Sequence, residues 1–440
     1  MECAQMENGV EAYHSIGQCY QLGLGVQQDY QKAFEWYVRS SESTGDAEAL
    51  VCIGRLYADR LIQHPQQHAD MEAMKWFKLA CIYDNHAKAH YQLGMYYLQG
   101  IRNNNDNTEQ PALQQQQQQQ QIITTEYLLA PSRYTALQHF EQAAKQQDRD
   151  SMFQLANLFF DLDPSDAIQW MDRAAQLGSP DALRELGKLY YSGQMVEQDF
   201  ERAFDLFLQA AQLDDSDAAM LVGKFYEHGI SMPSDSDQAR YWYELAIQAG
   251  HGYVAELSLG LLLHRSSLSS GDIENEVENQ DETQESFQHQ REAYLLFRAA
   301  SSHAYTAEQR ITPDIMIALY HLHGWGNTIV QEEPAMATLL AYARAGHARV
   351  YYQVARCYET GLGVQRDLSE AFYWYSQLEP FALFNRQGAA VVEDNIDEEL
   401  DQDVTNALLR LAEFYRHGWR TMKNVERANQ LIQLVSERTL

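Results

Sequence analysis

One pattern constrains this chain more than any other, because it recurs from end to end. It reads A-x-x-x-[small apolar]-G-x-x-Y-x-x-G and stands as "AYHSIGQCYQLG" from Ala12, "ALVCIGRLYADR" from Ala49, "AHYQLGMYYLQG" from Ala89, "ALRELGKLYYSG" from Ala182, "AMLVGKFYEHG" from Ala219 and "AELSLGLLLHR" from Ala255. Weaker copies, with alanine in the glycine position, surround Ala156, Ala318, Ala355 and Ala412. Where no insertion intervenes, the glycine positions lie about 37 residues apart. A period of that length belongs to stacked supersecondary units rather than to one globular core.

Each copy is followed by a second pattern, D-x-x-x-A-x-x-W/F-Y/F-x-x-A, as in "DYQKAFEWYVRS", "DMEAMKWFKLA", "DFERAFDLFLQAA" and "DLSEAFYWYSQL". In both halves the small and apolar residues fall at i, i+3, i+4 and i+7, which places them on one face of a helix. Two antiparallel helices per unit, and about ten units, follow. A glycine at Gly17, Gly54, Gly94, Gly187 or Gly223 lets a neighbouring helix approach closely, and the aromatic three residues later is expected to fill the space beside it. Asp29, Asp70, Asp199 and Asp367 precede the second helix, where a carboxylate can cap orphan backbone donors. One helix pair leaves an apolar face uncovered, so neighbours must stack to bury it.

The heptads "GLGVQQD" (Gly23 to Asp29) and "GLGVQRD" (Gly361 to Asp367) raise a different possibility, since a Gly-x-Gly pair before a helix can cradle a phosphate. Such a loop needs a preceding strand, a third glycine and a helix directly after. Here a helix precedes, the third glycine is missing, and Asp29 would repel a phosphate. The heptad therefore reads as a turn in which Gly23 takes the left-handed conformation and ends a helix. No cofactor is expected.

Three insertions interrupt the period. The first, 101–131, contains "RNNNDNTEQ" and the glutamine run Gln114 to Gln121; the others are 266–290 and 379–403. All are polar, low in complexity and expected to be loosely ordered. The last two together carry −14 of the net charge of −30. A single array over 1–440 thus divides into 11–100, 132–265, 291–378 and a C-terminal unit at 404–440.

The charge of −30 and isoelectric point near 4.8 repel nucleic acid and anionic membrane surfaces, and no basic stripe marks a nucleic-acid footprint. Cys3, Cys19, Cys52, Cys81 and Cys357 are odd in number and form no CxxC pair, so neither a disulfide framework nor a zinc site is indicated. No window approaches the roughly 18 apolar residues of a membrane span. The opening "MECAQMENGV" lacks the regions of a signal peptide, so a cytoplasmic location is expected.

With its motifs placed, the chain resembles the Sel-one-like repeat family, a branch of the tetratricopeptide-like solenoids whose units carry the G-x-G-V turn. The paired motifs bear the resemblance, most clearly in Ala12 to Ser40 and Val354 to Ser376. The unit at Met152 to Gly178 departs from it, with "DLDPSDA" in place of the glycine-rich turn, as does that at Ile315 to Gly346, where His321 replaces the aromatic. The resemblance implies an all-α, right-handed superhelical solenoid of about ten antiparallel helix pairs that binds other proteins without catalysing a reaction. The segment "CAQMENGVEA" resembles the end of a second helix, so the chain begins inside a repeat; an export signal upstream would change the expected location.

The same resemblance implies that first helices line a concave face, with outward positions three before, one after and four after the small residue. These are His14, Gln18 and Gln21; Val51, Arg55 and Ala58; Tyr91, Met95 and Leu98; Arg184, Lys188 and Tyr191; Met220, Lys224 and Glu227; Tyr352, Arg356 and Glu359. Arg55, Arg184, Lys188, Lys224 and Arg356 over-supply that face with cations for so acidic a protein. The expected partner is an acidic or carboxylate-ended protein segment, clamped by Arg184, Lys188 and Lys224 with Tyr191 or Tyr352 in apolar contact. A competing reading has the acidic exterior holding a basic protein, weakly at high salt.

Other candidates weigh less. His64, His68 and Asp70 in "HPQQHAD" could suggest a metal, but Pro65 interrupts any helix there, and His321 occupies a packing position. No metal site is expected. Cys52 and Cys81 lie on the two helices of one unit, which some secreted relatives bridge, but here they are expected as buried free thiols. Trp36-Tyr37, Trp242-Tyr243 and Trp374-Tyr375 are expected to pack. The functional reading is a non-catalytic scaffold or adaptor. An immunity or antitoxin-like protein that sequesters a toxin, a role of some bacterial relatives, is the alternative; a hydrolase would need a convergent polar cluster that the sequence does not reveal.

Overall fold

The computed structural model describes residues 12–62, 69–102, 127–250, 252–269, 280–381 and 396–438. Among these residues the chain forms twenty α-helices and one two-stranded ribbon, and it divides into two compact units, Met1–Leu213 and Asp214–Leu440. In the first unit α1 (Tyr13–Leu22) pairs with α2 (Tyr30–Thr44), α3 (Ala47–Ala58) with α4 (Ala69–Asp84), and α5 (Ala87–Gln99) with α6 (Arg133–Ala144). The pairs α7 (Arg149–Phe159) with α8 (Pro164–Gln176) and α9 (Pro180–Ser192) with α10 (Phe200–Ala211) complete it.

In the second unit α11 (Ser216–His228) pairs with α12 (Ser236–Gln248), α13 (Gly252–Ser269) with α14 (Gln280–His303), and α15 (Ala307–His323) with α16 (Glu332–Arg344). The last pairs are α17 (Tyr351–Thr360) with α18 (Leu368–Ser376) and α19 (Ile396–His417) with α20 (Val425–Arg438). The all-α array of helix pairs read from the sequence is present.

The turns behave as their residues dictate. Gly23 has φ 72° and its N–H bonds the Cys19 carbonyl, ending α1; Asp29 then accepts the Lys32 N–H at 3.0 Å and starts α2. In the second copy Gly361 has φ 86°, and Asp367 accepts the Ser369 N–H at 2.8 Å. Asp70 differs from the expectation: α4 already begins at Ala69, so Asp70 lies in its first turn, where it accepts the Tyr96 hydroxyl at 3.3 Å.

The small residues do bring helices together, but a different ring fills the space. A methyl group on Gly187 would stand 2.6 Å from the ring of Phe207, and one on Gly54 2.5 Å from that of Phe77. These rings come from the second helix of the pair, not from three residues downstream. The downstream aromatics work between other partners: Tyr57 meets Phe34 of the preceding pair edge-on at 6.0 Å, and Tyr97 stacks on His139 at 5.4 Å. Tyr37, Tyr243 and Tyr375 are fully buried, as expected of packing residues.

The ends of the insertions are more ordered than expected. Ile101–Arg102 (β1) and Tyr127–Leu129 (β2) pair antiparallel at the base of the first, and Ile101 is buried there. At the second, α13 continues to Ser269, α14 begins at Gln280, and Ser286 Oγ donates to the Ser267 carbonyl at 2.9 Å. At the third, α19 begins at Ile396. Glutamate and glutamine are good helix formers, so polar, repetitive sequence is no obstacle where a packed helix can be prolonged. The glutamine run lies outside the described residues.

Candidate functional site

Within the first unit, α7, α8 and α9 enclose an open groove of about 610 Å³ lined by Phe153, Asn157, Phe160, Asp161, Met171, Glu185, Lys188, Leu189, Ser192 and Gln194. Its walls follow from the repeat register. Phe153, Asn157 and Phe160 stand three before, one after and four after Ala156, as Arg184, Lys188 and Tyr191 do about Gly187. Met171 and Leu189 are buried at the bottom, Phe153 and Phe160 are half-buried, and Asn157, Asp161 and Lys188 are exposed at the rim. The sequence reading missed Phe153, Asn157 and Phe160 because it took no offsets about Ala156. The same offsets about Ala156 would have found them.

The cations of this wall already have partners. Arg184 approaches Asp181 at 2.8 Å and Glu185 at 3.5 Å, and Lys188 Nζ lies 2.8 Å from the same Glu185. Arg133 donates to the Leu158 carbonyl at 3.0 Å and reaches Asp161 at 3.4 Å. Further along the first helices, burial and then the charges of Asp150, Asp148 and Asp181 push the Tyr91 phenol up. Burial and then Asp148 likewise raise the Asp150 carboxyl, with Arg149 opposing.

Three of the residues expected to face outward are turned inward instead, and one of them, Val51, is 2% exposed. Tyr191 is 8% exposed and packs against Phe200 at 5.3 Å. The Glu227 side chain is 3% exposed, accepts the Tyr243 hydroxyl and pairs with Arg265. The same position binds the second-helix tyrosine elsewhere, with Tyr37 donating to Gln21 at 2.6 Å and Tyr375 donating to Glu359 at 2.8 Å. A buried phenol needs an acceptor, and the residue four after the small one is within its reach.

The remaining expected contacts are distributed. Arg55 is exposed on α3, and Lys224 is half-buried on α11 of the second unit. On α17, Tyr352 is half-buried at 5.8 Å from Tyr375, and Arg356 is exposed. His64 and His68 lie outside the described residues. His321 is tied down, with Nδ1 2.9 Å from the Ile329 carbonyl and Nε2 3.2 Å from the Tyr294 hydroxyl. Among the described residues no group of three or more His, Cys, Asp or Glu is placed to hold a metal, and no helix is long and apolar enough to cross a membrane. Cys19, Cys52, Cys81 and Cys357 are free thiols; Cys52 and Cys81 are half-buried, which is more open than expected. Burial pushes the thiols of Cys81 and Cys357 up to about 11.

Tandem helix pairs bearing an open groove, apolar below and charged at the rim, define a helical-repeat scaffold. The chain belongs to the Sel1 repeat family, whose pattern matches residues 10–44, 65–82, 87–107, 129–148, 150–179, 180–215, 216–251, 348–378 and 405–437. Among solved structures it is similar to a protective antigen of uropathogenic Escherichia coli displaying an SLR fold, at 20% identity and TM-score 0.48, covering 98% of this chain and 85% of that one. A Sel1 repeat protein from Oxalobacter formigenes is 20% identical with TM-score 0.43, over 68% of this chain and 96% of that one. An immunity protein from Pseudomonas aeruginosa is 13% identical with TM-score 0.36, over 56% of this chain and 83% of that one. No curated protein matches the chain.

Proposed function

We propose that this protein is a non-catalytic adaptor that holds a segment of another protein in the groove between α7 and α9. The observation that carries this reading is one open wall on which the half-buried rings of Phe153 and Phe160 flank Asn157 opposite Lys188. An entering segment sets an apolar side chain on the two rings and Leu189, offers its backbone to Asn157, and presents a carboxylate to Lys188 and Arg184. Arg55, Lys224, Tyr352 and Arg356 are candidate contacts on the first helices of their own repeats.

Glu185 gives this groove a particular chemistry. It occupies the cationic end by pairing with Arg184 and Lys188, so an acidic segment must displace it. Affinity purification with the full chain, followed by mass spectrometry at low and high salt, tests the reading. Lys188→Glu should abolish capture of the partner while shifting stability by no more than about 0.5 kcal/mol, because Lys188 is exposed. Glu185→Gln, which removes the internal competitor, should strengthen capture. Unchanged capture in the first variant rejects the groove as the acceptor of an acidic segment, and weaker capture in the second marks the partner as basic.

A further inference from the structure

Five second helices carry tryptophan three residues after their buried alanine: Trp36, Trp76, Trp170, Trp242 and Trp374. Four others carry His139, Leu206, Leu296 or Leu431 there, and α16 carries Thr338. A ring at that place closes the crevice between the two helices of its own pair. Trp36 lies 5.5 Å from Tyr13, Trp374 lies 5.4 Å from Tyr351, and His139 lies 5.1 Å from His90 and 5.4 Å from Tyr97. These first-helix partners stand four before or three after the small residue. About Ala318 on α15 the same two positions hold Asp314 and His321. Pro334 stands on α16 where Lys32 and Arg202 reach over a tyrosine ring in other pairs.

The pair α15 and α16 is therefore short of the side chains that fill this crevice elsewhere, and a pocket of about 320 Å³ opens among Asp314, Ile317, His321, Pro334 and Thr338, with Ala318 and Ala335 below. Ile317 registers the missing ring. The residue just before the small one is buried in both neighbouring pairs, Leu259 at 2% and Val354 at 0% exposed, whereas Ile317 is half-buried. Pockets for small ligands run from about 300 to 1,000 Å³, so this one has room for one large side chain and little more. Its polar wall offers acceptors. Asp314 accepts from the Ser301 hydroxyl at 2.7 Å and the Tyr342 hydroxyl at 2.8 Å, which leaves open about half of the roughly four acceptor sites of a carboxylate. Thr338 spends its hydroxyl proton on the Pro334 carbonyl at 3.1 Å, and both nitrogens of His321 are engaged.

We propose that this crevice takes the indole of a tryptophan from a segment of another protein, in the place that the chain's own tryptophans fill in five other pairs, with the indole N–H donating to Asp314. A lysine or arginine would answer Asp314 and leave Ile317 uncovered; a leucine or phenylalanine would cover Ile317 and leave Asp314 unanswered. Tryptophan does both, and no second helix of the chain sets a tyrosine at this position. A second copy of the chain is a poor donor. Its exposed Trp419 is held by its own fold, stacked on His417 at 4.8 Å and edge-on to Phe414 at 5.7 Å.

Saturation-transfer NMR with the full chain tests this, using N-acetyltryptophanamide, which carries the side chain capped as it is within a polypeptide. The indole protons should receive saturation, and the capped amides of leucine and arginine should bind weaker by about tenfold. The 1-methylindole derivative, with no N–H to give Asp314, should also bind more weakly. Thr338→Trp supplies the missing ring from within, so it should abolish the saturation and raise the thermal unfolding midpoint, as filling a cavity does. Thr338→Val leaves the space open and should keep the binding. A signal that survives Thr338→Trp, or a lowered midpoint in that variant, overturns the proposal, as does equal binding of the 1-methyl derivative. Tighter binding of free tryptophan than of the capped residue would mark a site for a small molecule and overturn it too.

Discussion

Gly187 sets the distance between α9 and α10, because Phe207 lies where a methyl group would need to be. Gly187→Ala should cost about 1–3 kcal/mol through overpacking, read as a lower urea midpoint with unchanged slope. Combining it with Phe207→Leu should cost less than the two changes add up to, since the smaller side chain makes room; strict additivity would mean that the contact does not set the spacing. The need for a small residue here was legible from the pattern. Its filler was not, since Tyr190 and Phe207 are both aromatic and in register with Gly187. Packing gives the place to Phe207, while Tyr190 lies under the guanidinium of Arg202 at 4.3 Å. Glu227 teaches the same lesson: its offset pointed outward, but the buried hydroxyl of Tyr243 claims it.

At the scale of helices, α5 and α6 are joined by a pair of imidazoles. His90 Nε2 lies 2.8 Å from Asn85 Oδ1, and His90 Nδ1 lies 2.8 Å from His139 Nδ1. The amide oxygen accepts from Nε2–H of His90, which leaves its Nδ1 to accept from Nδ1–H of His139, so the His90 ring has no room for a second proton. Burial, then His90 and Lys78, bring His139 down to about 4, and burial, then His86, lower His90. Below the ordinary histidine value of 6.5 the unfolded chain takes up protons that this pair refuses. Stability should therefore fall as pH drops from 6.5 towards about 4 and then level off. Thermal unfolding across that range should show a shallower slope in His139→Gln, with a residue left by buried His264, which burial and His323 also lower to about 4. An identical slope in the variant would clear the pair of this role. Both helices were legible in the sequence, whereas the pair was not, because 49 residues and an insertion separate its members.

For the whole molecule, a linear array predicts local consequences. Its contacts join each helix mainly to its neighbours in sequence order, and stability in such an array is close to a sum of pair and interface contributions. Gly187→Ala should speed hydrogen exchange in α8, α9 and α10 and leave exchange in α15 to α18 at wild-type rates. Uniform acceleration throughout would mean that the array unfolds as one cooperative body. The groove proposed on the first helices of the first unit accords with the reading of this array as a scaffold.

The sequence by itself determined the elements and their order: helical periodicity, the glycine that ends a first helix, the aspartate that begins a second, and the count of pairs. These depend on residues within a few places of one another, where backbone geometry and hydrogen bonding act without knowledge of the rest of the chain. The tertiary structure alone decided which ring covers each glycine, that Tyr191 and Glu227 face inward, and that Glu185 occupies the cationic end of the groove. Most of those outcomes are settled by competition for space and hydrogen-bond partners between helices about 20 to 40 residues apart, where several side chains of suitable type stand within reach and only their packing selects one.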